Sequence, residues 1–230
     1  MQENGNVFDR LDQLAQQADP RQLLTELEDH LRRTKCFHEL FEARKLAIRQ
    51  RRGLPLLASD LGEQLPEAER DAMETELLDA CWEVGRLLWQ DARLRDGWHY
   101  LRAIADRGRV ERLFAEIEPG EGNVDEFLEL SIHEGLDLSR GFRTLIDRYG
   151  TCNAITTFDS AMYGRPRGER AVGAAMLVRH IYEELRENIL AHIQRQEGQQ
   201  PETLKVSNLL DQRDWVFAGG SYHLDTTHLA

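Results

Sequence analysis

The chain has 230 residues, a formal net charge of −12 and 41% hydrophobic residues. That length holds one extended helical body or two smaller ones, with apolar residues enough for a true core. The acidic balance argues against a surface built for nucleic-acid phosphate, and no apolar stretch approaches the ~20 residues that span a bilayer, so neither nucleic acid nor membrane is an expected partner.

Phe8, Leu11 and Leu14 suggest a short first helix. Asp19-Pro20 is a start signal, acid as cap and proline in the first turn, and Leu23, Leu24, Leu27 and Leu31 follow on one face. Thr34 is placed to cap the next helix, with Phe37, Leu40, Phe41 and Ile48 inside and Gly53 then Pro55 as its stop. Leu54, Leu56, Leu57 and Leu61 make the connection over 53–65 apolar, so it is expected to pack on the body. Pro66 opens a long helix to about Gln90, and helices near 94–107 and 109–117 follow.

Met73, Leu77, Cys81, Val84 and Leu88 recur at helical spacing along the long helix. Gly85 interrupts that face and Gly97 opens the next helix. Glycine inside a helix costs about 1 kcal/mol relative to alanine. Two of them in neighbouring helices predict a close backbone approach.

Pro119-Gly120-Glu121-Gly122 is the clearest break in the chain. Beyond it, Asn123 can cap a helix ending at Gly135, Asp137 one ending at Gly150, and Thr151 a short one to about Met162. A helix of nearly thirty residues then runs to Gln196, with Ala174, Leu177, Val178, Ile181, Leu185 and Ile189 inside. A short helix around Leu204–Leu210 and the aromatics Trp215, Phe217 and Tyr222 complete the tail. The expected organisation is a helical part over 1–118, a second over 123–198, and a tail over 199–230. Asp225-Thr226-Thr227 looks like the start of a further helix, which suggests a domain cut from a longer chain. No period-2 segment occurs, so the fold class is all-α, as irregular stacked antiparallel helix pairs in a solenoid or bundle, without a sheet.

Residues 82–105 resemble a tetratricopeptide helix pair. Trp82 and Gly85 match the aromatic and small positions of its first helix, and Gly97, Leu101 and Ala105 the small, large and small positions of its second. Ile104 and Arg109 depart from the pattern. Gly141-Phe142-Arg143-Thr144-Leu145 is a looser echo of Gly97-Trp98-His99-Tyr100-Leu101. With the stretches Tyr149–Phe158 and Tyr222–Leu229, the chain resembles uncharacterised bacterial helical proteins described as tetratricopeptide-like. The resemblance implies stacked helix pairs and no known reaction.

Phosphate-cradling, dinucleotide-binding and nucleophile-elbow motifs are missing from the sequence. The three cysteines, Cys36, Cys81 and Cys152, are odd in number and far apart, which excludes a disulfide framework and suits a reducing cytoplasm. Cys152 near a helix N-terminus is the candidate nucleophile. His223-x-Asp225-x-x-His228 is a candidate zinc or iron site for a metal-binding or hydrolytic domain; otherwise no cofactor is expected. The cluster Arg44, Lys45, Arg49, Arg51 and Arg52 reads as helix-end charge and ion pairing. His192 reads as a core histidine, and His38 with Glu42 as a surface pair one turn apart. The expected role is a cytoplasmic scaffold that binds protein or peptide, with Trp89, Trp98 and Tyr100 as contact residues or, failing that, as inter-helix packing. A homo-oligomeric module that buries its tail aromatics is the further alternative.

Overall fold

The computed structural model describes residues 10–12, 15–16, 19–56, 65–202, 204–211, 213–220 and 223. It divides into two compact units, Met1–Glu126 and Phe127–Ala230. All regular structure among the described residues is helical, with consecutive helices stacked as antiparallel pairs. Phe8, Leu14, Leu57, Leu61, Tyr222 and the expected helix start at Asp225 lie outside the described residues.

The first unit contains α1 (Pro20–Arg33), α2 (Phe37–Arg51), α3 (Glu67–Gln90), α4 (Leu94–Leu101) and α5 (Arg107–Ala115). Asp19 caps α1 through the Arg21 amide. Thr34 does not cap α2. Its hydroxyl bonds back to the His30 carbonyl and closes α1, and Cys36 takes the cap position of α2. Helix α4 stops at Leu101, short of the expected 107, because Asp106 is used as the cap of α5, accepting from the Arg109 amide at 2.9 Å. Leu56 is exposed rather than packed on the body.

Phe37 and Leu40 of α2, Val84 and Leu88 of α3 and Tyr100 of α4 form one buried cluster. Behind it, α3 and α4 touch through backbone. A Cβ on Gly97 would stand 2.8 Å from the Gly85 carbonyl oxygen, and a Cβ on Gly85 3.0 Å from the Gly97 oxygen. Real Cβ atoms do not come that near, so hydrogen is the only side chain both positions accept. On the polar side, Arg32 and Arg44 each reach both Glu28 and Glu83, tying α1, α2 and α3 together. Glu28 is almost fully buried, so its charge depends on these partners.

The chain enters the second unit through α6 (Val124–Leu128), which runs into a π-helical turn over Glu129–His133. Asn123 ties off the preceding turn, accepting from the Gly120 amide and donating to the Glu118 carbonyl. Helix α7 (Leu138–Met162) is bent at Gly150, whose φ of 81° and ψ of 173° are not helical. Helix α8 (Arg167–Glu197) is the longest at 31 residues, about 46 Å at helical rise. Ile132, Leu138, Phe142, Leu145, Ala154, Met162 and Leu177 make the core between them. Gly141 sits directly on Ser131, and Gly173 directly on Phe142 and Phe158. After α8, α9 (Val206–Leu210) and a 3-10 turn over Asp214–Gly220 fold back on it, with Leu209 and Val216 against Ile189 and Ile193.

The glycine contact predicts a stability difference. Gly97→Ala is expected to lower unfolding stability by about 1–3 kcal/mol through overpacking. Gly168→Ala, on a helical glycine with nothing within 4 Å, is expected to be neutral or slightly stabilising. Urea unfolding of the two variants, followed by circular dichroism, checks this; equal stabilities would refute the contact.

Candidate functional site

The faces of α8 differ. Gly173 and Leu177 are buried toward α7. Val172, Val178 and Tyr182 are 37%, 66% and 46% exposed, and Ala171 and Ala175 beside them are exposed too. Ala171, Ala175, Val178 and Tyr182 follow helical spacing and share a stripe. The same stripe continues through Leu185, Ile189 and Ile193, where α9 and the 3-10 turn cover it. One end of an apolar helix face is therefore closed by the chain's own tail, and the other is open. Val178, expected inside, is on the open end.

Along the edge of this open end runs a groove of about 310 Å³. Arg143, Ile146 and Asp147 line it from α7, and Met176, Arg179, His180 and Glu183 from α8. Arg143, Asp147, Arg179 and Glu183 form no ion pair among the described residues. His180 Nε2 shares a 2.9 Å hydrogen bond with the Thr151 hydroxyl, just past the Gly150 bend. Thr151 thus bridges to α8 instead of acting as the expected cap. Cys152 beside it is exposed, and the described structure assigns it no base. The groove offers two cations, two carboxylates and the side chains of Ile146 and Met176.

The covered end carries a polar pair. His192 Nδ1 and His223 Nε2 lie 2.8 Å apart, and the rings stack at 5.0 Å. Trp215 meets His192 edge-on, Phe217 meets His223 edge-on, and the Asn188 amide donates to the His223 carbonyl. His223 is only 8% exposed, and its Nδ1 has no partner among the described residues. Burial first, then the charges of His192 and Arg195, push its pKa below the ordinary 6.5.

These contacts correct the expectation of zinc or iron at His223, Asp225 and His228. Among the described residues no group of three or more His, Cys, Asp or Glu side chains could hold a metal. The one described member, His223, commits a ring nitrogen to His192. Asp225 and His228 lie outside the described residues.

The remaining predicted residues sit in the first unit. Trp89 is 4% exposed, donates to the Leu94 carbonyl and meets Phe114 edge-on. Tyr100 is 9% exposed, with its hydroxyl 2.7 Å from His38 Nδ1. Trp98 is half-buried. His38 bonds Tyr100 and Arg93 rather than the expected Glu42, with Asp96 near by. Of the basic cluster, Arg44 pairs with Glu28 and Glu83, Lys45 with Glu42, and Arg51 and Arg52 with Glu76. Arg49 donates to the Pro55 carbonyl.

The open stripe and the groove were missed in the sequence. The available signal was excess. Between Ala171 and Tyr182, α8 carries apolar residues on more than one face, and a single packing partner covers only one.

Comparison with protein-family models, with curated proteins and with solved structures finds no match for this chain. The fold defines an all-helical protein of stacked antiparallel helix pairs. No described helix is long and apolar enough to cross a membrane.

The buried imidazole predicts how tail docking responds to pH. A histidine whose folded pKa lies below its unfolded value stabilises the fold fully above the unfolded pKa and less as acid protonates the released ring. Docking of α9 and the 3-10 turn is expected to hold above about pH 6.5 and to weaken as pH falls below it. Hydrogen-exchange protection of the 206–216 amides, corrected for intrinsic rates, measures this; protection independent of pH between 5 and 8 would contradict it.

Proposed function

We propose that this protein is a helical scaffold that binds another polypeptide on the open face of α8. The observation that carries the reading is the apolar stripe itself. The protein's own tail occupies one half of it with Leu209 and Val216, apolar groups packed on an apolar face. The other half presents Ala171, Ala175, Val178 and Tyr182 to solvent. Contiguous exposed apolar surface of this kind marks interaction sites, and an amphipathic helix is the natural occupant of such a stripe.

The adjoining groove supplies a polar rim. Arg143, Asp147, Arg179 and Glu183 can pair with charged side chains of an occupant, while Ile146 and Met176 form the floor. In the first unit, half-buried Trp98 is a secondary contact, backed by buried Trp89 and Tyr100.

A photo-crosslinking residue in place of Val178, in the full chain expressed in cells, is expected to give a discrete protein adduct. The same residue in place of exposed Gln194 is the control. No adduct at 178 above that control would end this reading.

A further inference from the structure

We propose that the tail over 206–220 is an autoinhibitory strap: it holds the far half of the α8 stripe in place of the partner polypeptide, which displaces it to dock along the whole stripe. This rests on the protein-binding reading above and adds how that site is regulated. Three observations carry it.

The first is shared ground. Leu185, Ile189 and Ile193, under the tail, continue the line of Ala171, Ala175, Val178 and Tyr182 on α8. The open half is about 17 Å long and the whole line about 33 Å at helical rise, so a helical partner extends its contact only where the tail now lies. The second is independence. The cluster under the tail draws on α8 and the tail alone, and it shares no residue with the α7–α8 core around Phe142 and Leu177. Departure of the tail removes no support from that core. Gly198 ends α8 in the left-handed region at φ 76°, and no described residue from 199 to 205 is helical. Such a segment can absorb the change of direction without bending α8.

The third is a hold weak enough to be exchanged. Helix α9 is five residues long, and of the described residues between 204 and 218 only Leu209 and Val216 are buried. Arg213 forks onto Glu197 at 2.7 and 3.1 Å, a surface pair that adds little. His223 enters the contact with Nδ1 buried and without a partner among the described residues, a cost that departure relieves. What the tail buries on α8 is apolar, so the apolar side chains of an amphipathic helix can take the places of Leu209 and Val216.

Photo-crosslinking of the full chain reads the exchange. In purified protein, the crosslinker in place of Leu190, which packs on the tail cluster, is expected to join α8 to the tail. In cells it is expected also to capture the protein captured from position 178. Arg213→Glu should loosen the tail and raise the ratio of partner to tail adduct at 190 about threefold. Glu197→Arg should do the same, and the double variant, which re-forms the pair, should bring the ratio back toward wild type. Leu209→Asp sets a carboxylate against Ile189 and Ile193 and should raise the ratio about tenfold or more. Hydrogen-exchange protection should fall at the 206–216 amides of the loosened variants and hold at 138–162. A ratio unchanged in all the variants, while 178 still captures a protein, overturns the strap and leaves the binding function standing. Loss of protection at 138–162 together with the tail also overturns it, because the tail is then part of the core. No adduct at 178 removes both readings.

Discussion

Everything in this molecule depends on helices coming closer than side chains ordinarily allow. In the first unit, α3 and α4 meet where Gly85 and Gly97 present only hydrogen, each alpha carbon facing the other's carbonyl oxygen. In the second, Gly141 sets the start of α7 on Ser131, and Gly173 lets α8 rest on Phe142 and Phe158. Helix pairs held at such short distance are rigid, because interiors pack to crystal-like density and transmit any added volume as strain. That rigidity has a consequence for the surface. Once Gly173 and Leu177 anchor one side of α8 to α7, Val172, Val178 and Tyr182 are held facing water.

Charge organises what the glycines bring together. An acidic chain whose basic residues are nearly all arginine can fork each guanidinium onto two carboxylates. Arg32 and Arg44 do so with Glu28 and Glu83, and Arg51 and Arg52 share Glu76. Exposed pairs of this kind add little stability, but at Glu28 a buried carboxylate makes the pairing obligatory. Around the α7–α8 groove the same residue types stand unpaired among the described residues. Ion pairing thus ties α1, α2 and α3 together in the first unit, while Arg143, Asp147, Arg179 and Glu183 lining the α7–α8 groove form none among the described residues.

The tail is the least settled contact by physical criteria. It covers half of the α8 stripe with short helical turns, and it buries an imidazole with one nitrogen unsatisfied among the described residues. A buried polar atom without a partner costs free energy, and burial first of all holds the His223 imidazole below its ordinary pKa. The tail is therefore held by Leu209 and Val216 against the cost of His223, and the balance shifts with protonation. The regions that act in binding and regulation are commonly drawn from such marginal contacts.

Local chemistry was legible in the sequence because its causes are local. Helical period placed Val84 and Leu88 in the core, Asp19 and Asp137 supplied caps, and the Gly85–Gly97 approach follows from glycine at two interior helix positions. The all-helical class, with helices stacked in antiparallel pairs, follows from the same periodicity. Only the tertiary structure decided which of two apolar faces on α8 was left open, and that Thr151 would bond His180 and His223 would bond His192. Those outcomes join residues about thirty positions apart, and they turn on the bend at Gly150 and on the returning tail. No local spacing carries them, because periodicity states that a face is apolar without stating what lies opposite.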